Sequence, residues 1–211
     1  MWKTGTLSYS EFENELQDFI DRSRHAEDSW TVELSQGKRK VKYLIKHQVK
    51  LRHFTVTEGE TGQQTINEDN SWGVEEDDGD RCASSSDAQS DVNAEFFKYE
   101  YHIVYSHSYS VPVLYFTASH QDGKLVSLEE VWKTVPDVYC KRLEYERWTF
   151  LTQQEHPHLC IPFYQLHPCH TADMMKAALG ATTDRSVNYL VTWLSTVGPV
   201  VGLNISSAYS I

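Results

Sequence analysis

The chain is poor in cysteine, with four in 211 residues: Cys82, Cys140, Cys160 and Cys169. So few thiols, so far apart, cannot staple a small secreted scaffold, and a reducing, cytoplasmic setting is the expectation. Long apolar runs are also missing. The longest fall far short of the roughly 20 residues that span a bilayer as a helix, so no transmembrane helix is expected. Residues 1–5 lack the apolar core of a secretory signal. An excess of basic charge is missing as well, since 19 Lys and Arg stand against 30 Asp and Glu. A nucleic-acid binder needs a basic footprint, so nucleic acid is not the expected partner. What is present is 40% hydrophobic and 23% charged. That supports one domain over residues 1–211 with a sizeable core.

The net charge of −11 is concentrated. Residues 58–95 hold twelve acids and a single base, Arg81, and the rest of the chain balances at 18 against 18. The same segment carries Gly59, Gly62, Gly73, Gly79 and Ser84-Ser85-Ser86, with little to bury beyond Ile66, Trp72 and Val74. Such a stretch cannot recover its ordering entropy, which predicts a flexible surface insertion. It serves either as a solvated loop or as a docking segment for a basic partner.

Elsewhere the periodicities are regular. Ser10-Glu11-Phe12-Glu13 reads as a capping box. Phe12, Leu16, Phe19 and Ile20 then form one apolar stripe, predicting a helix over 10–24. Residues 30–34 read as a strand and Gln36-Gly37-Lys38 as a turn. Over 38–52, Val41, Tyr43, Ile45, Val49 and Leu51 alternate with lysines, predicting a half-buried strand with its lysine face in water. That basic face, with Lys40, Lys42 and Lys46, is either a solvated surface or a docking face for an acidic partner.

Residues 97–105 alternate again, and residues 111–116 are apolar on both faces, as in a more deeply buried strand. Ser127-Leu128-Glu129-Glu130 is a second capping box, and its helix breaks at Pro136. Residues 149–168, with Pro157, Pro162 and Pro168, read as loop. Thr171 caps a short helix, and Asp184 or Ser186 starts a last one that Gly198-Pro199 stops. The sum is an α+β fold: a four-stranded antiparallel meander with an N-terminal helix and C-terminal helices packed on it.

One thiol stands apart. Pro168 stiffens the approach to Cys169, and Thr171 opens a helix just after it. Unpaired amides at a helix N-terminus favour an anion, a thiolate included. His167 and His170 add imidazoles that serve as acid, base or orienting group. A buried, inert thiol is the alternative, and Cys140 reads as core filler. His156, His158, Cys160, His167, Cys169 and His170 also crowd soft donors between 156 and 170, so a structural zinc site is weighed. The ligand gaps do not match those of zinc fingers. A papain-like protease is disfavoured because the Cys-Gly-Ser-Cys-Trp surround is absent.

Phe163-Tyr164-Gln165-Leu166-His167-Pro168-Cys169 resembles the active-site segment of the autophagy ubiquitin-like conjugating enzymes. The likeness extends over residues 98–102, 111–116 and 152–157, and over the tail from Thr192-Trp193-Leu194-Ser195 through Gly198-Pro199-Val200-Val201-Gly202-Leu203-Asn204. The resemblance implies a ubiquitin-conjugating-enzyme-like core and a thioester on Cys169. The modifier would be autophagy-related protein twelve, received from the activating enzyme, autophagy-related protein seven. It would pass to a lysine of the acceptor, autophagy-related protein five. No metal, nucleotide or other cofactor is implied. Ordinary ubiquitin-conjugating enzymes carry a His-Pro-Asn whose Asn supports the oxyanion, and this chain has none. By residue type alone Tyr115, Tyr99 and Asn204 stand as replacements, with His167, Pro168 and Thr171 as supports of the nucleophile. A non-catalytic binding or adaptor module on the same fold is the competing expectation.

Overall fold

A computed structural model describes residues 4–38, 40–55, 92–136, 138–139, 150–180 and 187–210. In chain order the named elements are α1 Tyr9–His25, β1 Thr31–Leu34, β2 Lys42–Thr55, β3 Val92–Ser106, β4 Val111–Ser119 and α2 Leu128–Lys133. After them come β5 Leu151–Glu155, β6 Pro162–Leu166, α3 Thr171–Gly180 and α4 Tyr189–Val197. The strands pair antiparallel in the order β1-β2-β3-β4-β6-β5. The first four make the expected meander.

The sheet has six strands, not four, because the prolines of residues 149–168 do not prevent pairing. Pro162 is the first residue of β6, Pro157 lies in the β5–β6 connection, and Pro168 opens a 3₁₀ turn after β6. These are positions where a missing N–H costs no ladder bond. Cys82, Cys140 and the helix starts proposed at Asp184 or Ser186 lie outside the described residues, as does most of the acidic segment. Its last residues, 92–95, begin β3 instead.

α1 starts earlier than predicted. Ser8, not Ser10, caps it: Ser8 Oγ accepts the Glu11 amide at 3.2 Å, and the Ser8 amide donates to Glu11 Oε2 at 2.7 Å. Two Ser-x-x-Glu boxes overlap here, and the earlier one brings Tyr9 against Tyr105, with ring centroids 5.5 Å apart. Phe12, Leu16, Phe19 and Ile20 are buried as a stripe, each contributing about 1.5–3 kcal/mol. They join Leu44, Tyr101, Ile103, Leu114, Phe116, Tyr164 and Leu166 from the sheet, with Met175, Leu190 and Trp193 from α3 and α4, in one core. A second, smaller core of Tyr43, Val104, Val113, Tyr115 and Phe163 covers the opposite face. β4 contributes to both, as its doubly apolar sequence predicts.

The alternation in β2 is real, but both of its faces are partly covered: Tyr43 is buried in the second core with Ile45 against it, as expected of that face, while the far end of the same face is open. Val49 and Leu51 are 62% and 46% exposed, whereas Lys46 is 8% exposed on the helix side. Lys46 Nζ meets Asp28 Oδ1 at 2.5 Å. Lys50 Nζ donates to Tyr101 Oη at 2.8 Å and to the carbonyl of Gly202. A period of two says which residues share a face, not which face is covered. Asp28 and Gly202, the partners that decide it, lie far away in sequence. Lys42 pairs with Glu13 at 3.5 Å, and Lys40 is exposed. The lysine row is therefore not one continuous solvent face.

α4 is capped by Asn188, whose Oδ1 accepts the Val191 amide at 2.9 Å and whose Nδ2 donates to the Glu15 carbonyl at 2.9 Å. Gly198 ends α4, and a 3₁₀ turn then stops at Gly202, whose φ of 67° is the left-handed conformation that glycine adopts without strain.

Candidate active site

Cys169 is exposed in the 3₁₀ turn Pro168–His170, which runs directly into α3. His167 is the cap of this turn. Its backbone is extended (φ −67°, ψ 129°), and its Nδ1 accepts the Cys169 amide at 3.3 Å. A neutral His167 that accepts at Nδ1 carries its hydrogen on Nε2. Thr171 is not the cap that the sequence suggests. It is already helical (φ −62°, ψ −44°), donates its amide to the Pro168 carbonyl, and is buried. The helical run begins one turn earlier than predicted, so Cys169 sits within its first turn rather than ahead of it. Pro168 is buried and anchors the turn, and His170 is exposed.

An open cleft of about 330 Å³ borders this turn. Ser106, Ser108 and Tyr109 of the β3–β4 connection form one side, and Gln154 and Glu155 of β5 another. Tyr115, Gln165, His167 and Pro168 complete it. Tyr109 meets the His167 ring edge to face, with centroids 5.7 Å apart. Burial raises the Tyr115 pKa, so its hydroxyl stays a neutral donor.

Of the three candidate oxyanion donors, only Tyr115 reaches the cleft. Tyr99 lies on the helix-side face, stacked on Tyr101 at 5.6 Å. Asn204 is exposed just beyond Gly202 and is not among the cleft residues. The zinc alternative finds no group of three or more His, Cys, Asp or Glu placed to hold an ion among the described residues. His156 is fully buried against His102, whereas Cys160 and Cys169 are exposed.

The N-terminal segment braces both sides of the site, which no local pattern shows. The Leu7 amide donates to the Ser110 carbonyl at 2.8 Å, and Tyr105 Oη donates to the Leu7 carbonyl at 2.7 Å. Gly5, with φ 72°, lies against α3 so closely that a Cβ would stand 1.9 Å from the Ala172 carbonyl oxygen. Tyr189 of α4 donates its hydroxyl to the Gly5 carbonyl at 2.7 Å. One short segment thus ties the cleft-lining turn to the first turn of the Cys169 helix. Sequence reasoning also passed over Ser106, Ser108, Tyr109, Gln154, Glu155 and Gln165 as cleft residues. The only signals were the polar turn at 106–110 and the paired glutamines beside His156.

Cys169 is thus an exposed thiol in the first turn of a helical run, beside a polar cleft on an antiparallel α+β sheet. The family model described as "Autophagocytosis associated protein, active-site domain" matches residues 11–208, and the chain belongs to that family. The human ubiquitin-like-conjugating enzyme ATG10 is 37% identical over 206 residues, covering 94% of this chain and 90% of the human one. The Arabidopsis thaliana enzyme of that name is 45% identical over 112 residues, 51% of this chain and 50% of its own. The Dictyostelium discoideum enzyme is 37% identical over 118 residues, 51% of each chain.

Proposed function

We propose that this chain is a conjugating transferase that carries a ubiquitin-like modifier as a thioester on Cys169 and passes it to a lysine amine. The modifier is autophagy-related protein twelve, the donor is autophagy-related protein seven, and the acceptor is autophagy-related protein five, in the cytoplasm. Family membership supports the conjugating role in autophagy. The observation that carries the assignment to Cys169 is its exposure in the first turn of the α3 helical run beside the cleft.

In the first step the Cys169 thiol gives its proton to solvent and its sulfur attacks the thioester carbonyl on the activating enzyme. A new C–S bond forms and the donor's sulfur leaves as a thiolate. The exchange is nearly thermoneutral, so access governs it, and an exposed thiol meets that need. In the second step a neutral lysine amine attacks the carbonyl. A C–N bond forms, Cys169 leaves as a thiolate, and the surplus amine proton passes to solvent. Holding amine and carbonyl in contact supplies up to about 7–11 kcal/mol of the barrier reduction. The cleft beside His167 and Pro168 is where that alignment takes place. Tyr115 is the candidate donor to the developing oxyanion, and His167 holds the Cys169 backbone in place.

The test is the chemistry of the adduct. The native chain, incubated with activating enzyme, modifier and ATP, should form an adduct that a thiol reductant cleaves. Cys169→Ser should give a reductant-resistant ester or none. An adduct still formed by Cys169→Ala would refute the assignment to Cys169, and a native chain that forms no adduct would favour the binding module.

A further inference from the structure

Behind the cleft wall lie two fully buried histidines, His102 and His156, with His102 Nδ1 and His156 Nε2 3.0 Å apart. The ends of the chain fix where the hydrogens sit. His156 Nδ1 accepts the backbone amides of His158 at 3.3 Å and Leu159 at 3.2 Å, so its hydrogen is on Nε2 and is donated to His102. His102 Nε2 then carries the next hydrogen and donates it to Glu100 Oε1 at 2.8 Å. This single arrangement satisfies every ring nitrogen. An added proton has no free position: on His156 Nδ1 it faces two amide hydrogens, and on His102 Nδ1 it faces the His156 N–H. Burial, reinforced by His102 and His158, pushes the His156 pKa down to about 3.

The pair supports the cleft directly. Gln154 and Glu155 of the wall immediately precede His156, and the His156 ring packs on Tyr115 at 5.2 Å and on Phe163 at 4.9 Å. His102 is also the cross-strand neighbour of Tyr115. The titratable groups around the pair come from several elements. Tyr43 of β2 lies 5.6 Å from His102 and 5.7 Å from His156, and the Glu33 charge of β1 acts on Tyr43. His47 Nδ1 is 3.9 Å from Glu100 Oε2. His158, with a buried Nε2, lies 5.8 Å from His156 and feels His107.

We propose that the Glu100–His102–His156 chain is a positioning device for the amine-transfer step at Cys169. Its closed hydrogen-bond chain fixes the wall formed by Gln154, Glu155 and Tyr115, and breaking the chain releases the wall and slows transfer. The proposal rests on Cys169 carrying the thioester. Charging of an exposed thiol needs little of the cleft, so charging survives where transfer fails.

Single-turnover rates of charging, and of discharge of the purified thioester onto its acceptor protein, are measured at neutral pH for the native enzyme, Glu100→Ala, Glu100→Gln and His156→Phe. Glu100→Ala removes the acceptor for His102, whereas the amide oxygen of Glu100→Gln still accepts from it. His156→Phe keeps an aromatic ring and loses its hydrogen bonds, so discharge should slow about tenfold while charging is unchanged. Glu100→Ala should slow discharge in the same way, and Glu100→Gln should restore much of the rate. Discharge at the native rate in His156→Phe, or equal slowing of both steps, would overturn the proposal. If His156→Phe does not fold, the Glu100 pair decides: equal discharge rates for Glu100→Ala and Glu100→Gln would overturn it. A native enzyme that never charges contradicts the Cys169 reading instead.

Discussion

Replacing Lys46 with Met tests the inward placement of that lysine directly. The Lys46 and Asp28 side chains are only 10% and 17% exposed and meet at 2.5 Å. Without Lys46, Asp28 keeps the Tyr209 hydroxyl at 2.8 Å and the Ser29 amide at 2.7 Å, but no cation. Removing one partner of a fully buried pair costs about 3–5 kcal/mol, and of an exposed pair about 0–1 kcal/mol. Residual water access places this pair between them, at about 2–3 kcal/mol. For a domain of this size that lowers the melting temperature by about 5–10 °C. Thermal unfolding of Lys46→Met, Asp28→Asn and the double variant measures it, and the double variant should recover most of the loss. The pH dependence follows the same pair. Burial opposes ionisation of Asp28, but the bonds from Lys46 and Tyr209 prevail and hold its pKa below the ordinary value. Its stabilisation is therefore complete above the unfolded carboxylate range and is lost as pH falls through the lower folded value. Lys46→Met should shrink that acid-side loss. A melting point unchanged within about 1 °C, well inside the shift expected for a buried pair, or strictly additive single variants, would refute the reasoning.

Gly5→Ala forces a Cβ against the Ala172 carbonyl at a left-handed φ, and should cost about 1–3 kcal/mol in urea unfolding while slowing charging of Cys169; full stability would show that the segment yields. His167→Ala removes the acceptor for the Cys169 amide, worth about 0.5–2 kcal/mol as a cap, so amide exchange at Cys169 should speed up and His167→Asn should partly restore protection. Tyr115→Phe should leave the fold intact and slow transfer about tenfold or more if its hydroxyl supports the oxyanion; an unchanged rate would remove Tyr115 from that role.

Local pattern carried the fold a long way. The α1 stripe, the Ser127 capping box, the doubly buried β4 and the stop at Gly198 are all decided within a few residues, so a reader of the chain finds them. What escaped was decided at long range. Lys46 faces inward because of Asp28, and the β5–β6 hairpin forms because β4 offers an edge to Phe163–Leu166 despite the flanking prolines. Thr171 lost the cap to His167 because a proline-led 3₁₀ turn fuses with α3. Cys169 was legible as the candidate nucleophile, where a rigid proline and a helix start meet. The cleft was not, since its walls come from β3–β4, β5 and β6 and converge only in three dimensions. His156 was noticed as a metal-type donor, but its partner His102 lies 54 residues away.

The site at which the modifier attaches is the most direct test of a thioester on Cys169. Peptide mass mapping of the chain after incubation with activating enzyme, modifier and ATP should find the modifier's C-terminal residue joined through sulfur to Cys169, and to none of Cys82, Cys140 or Cys160. Attachment at another cysteine, with Cys169 recovered free, would contradict it.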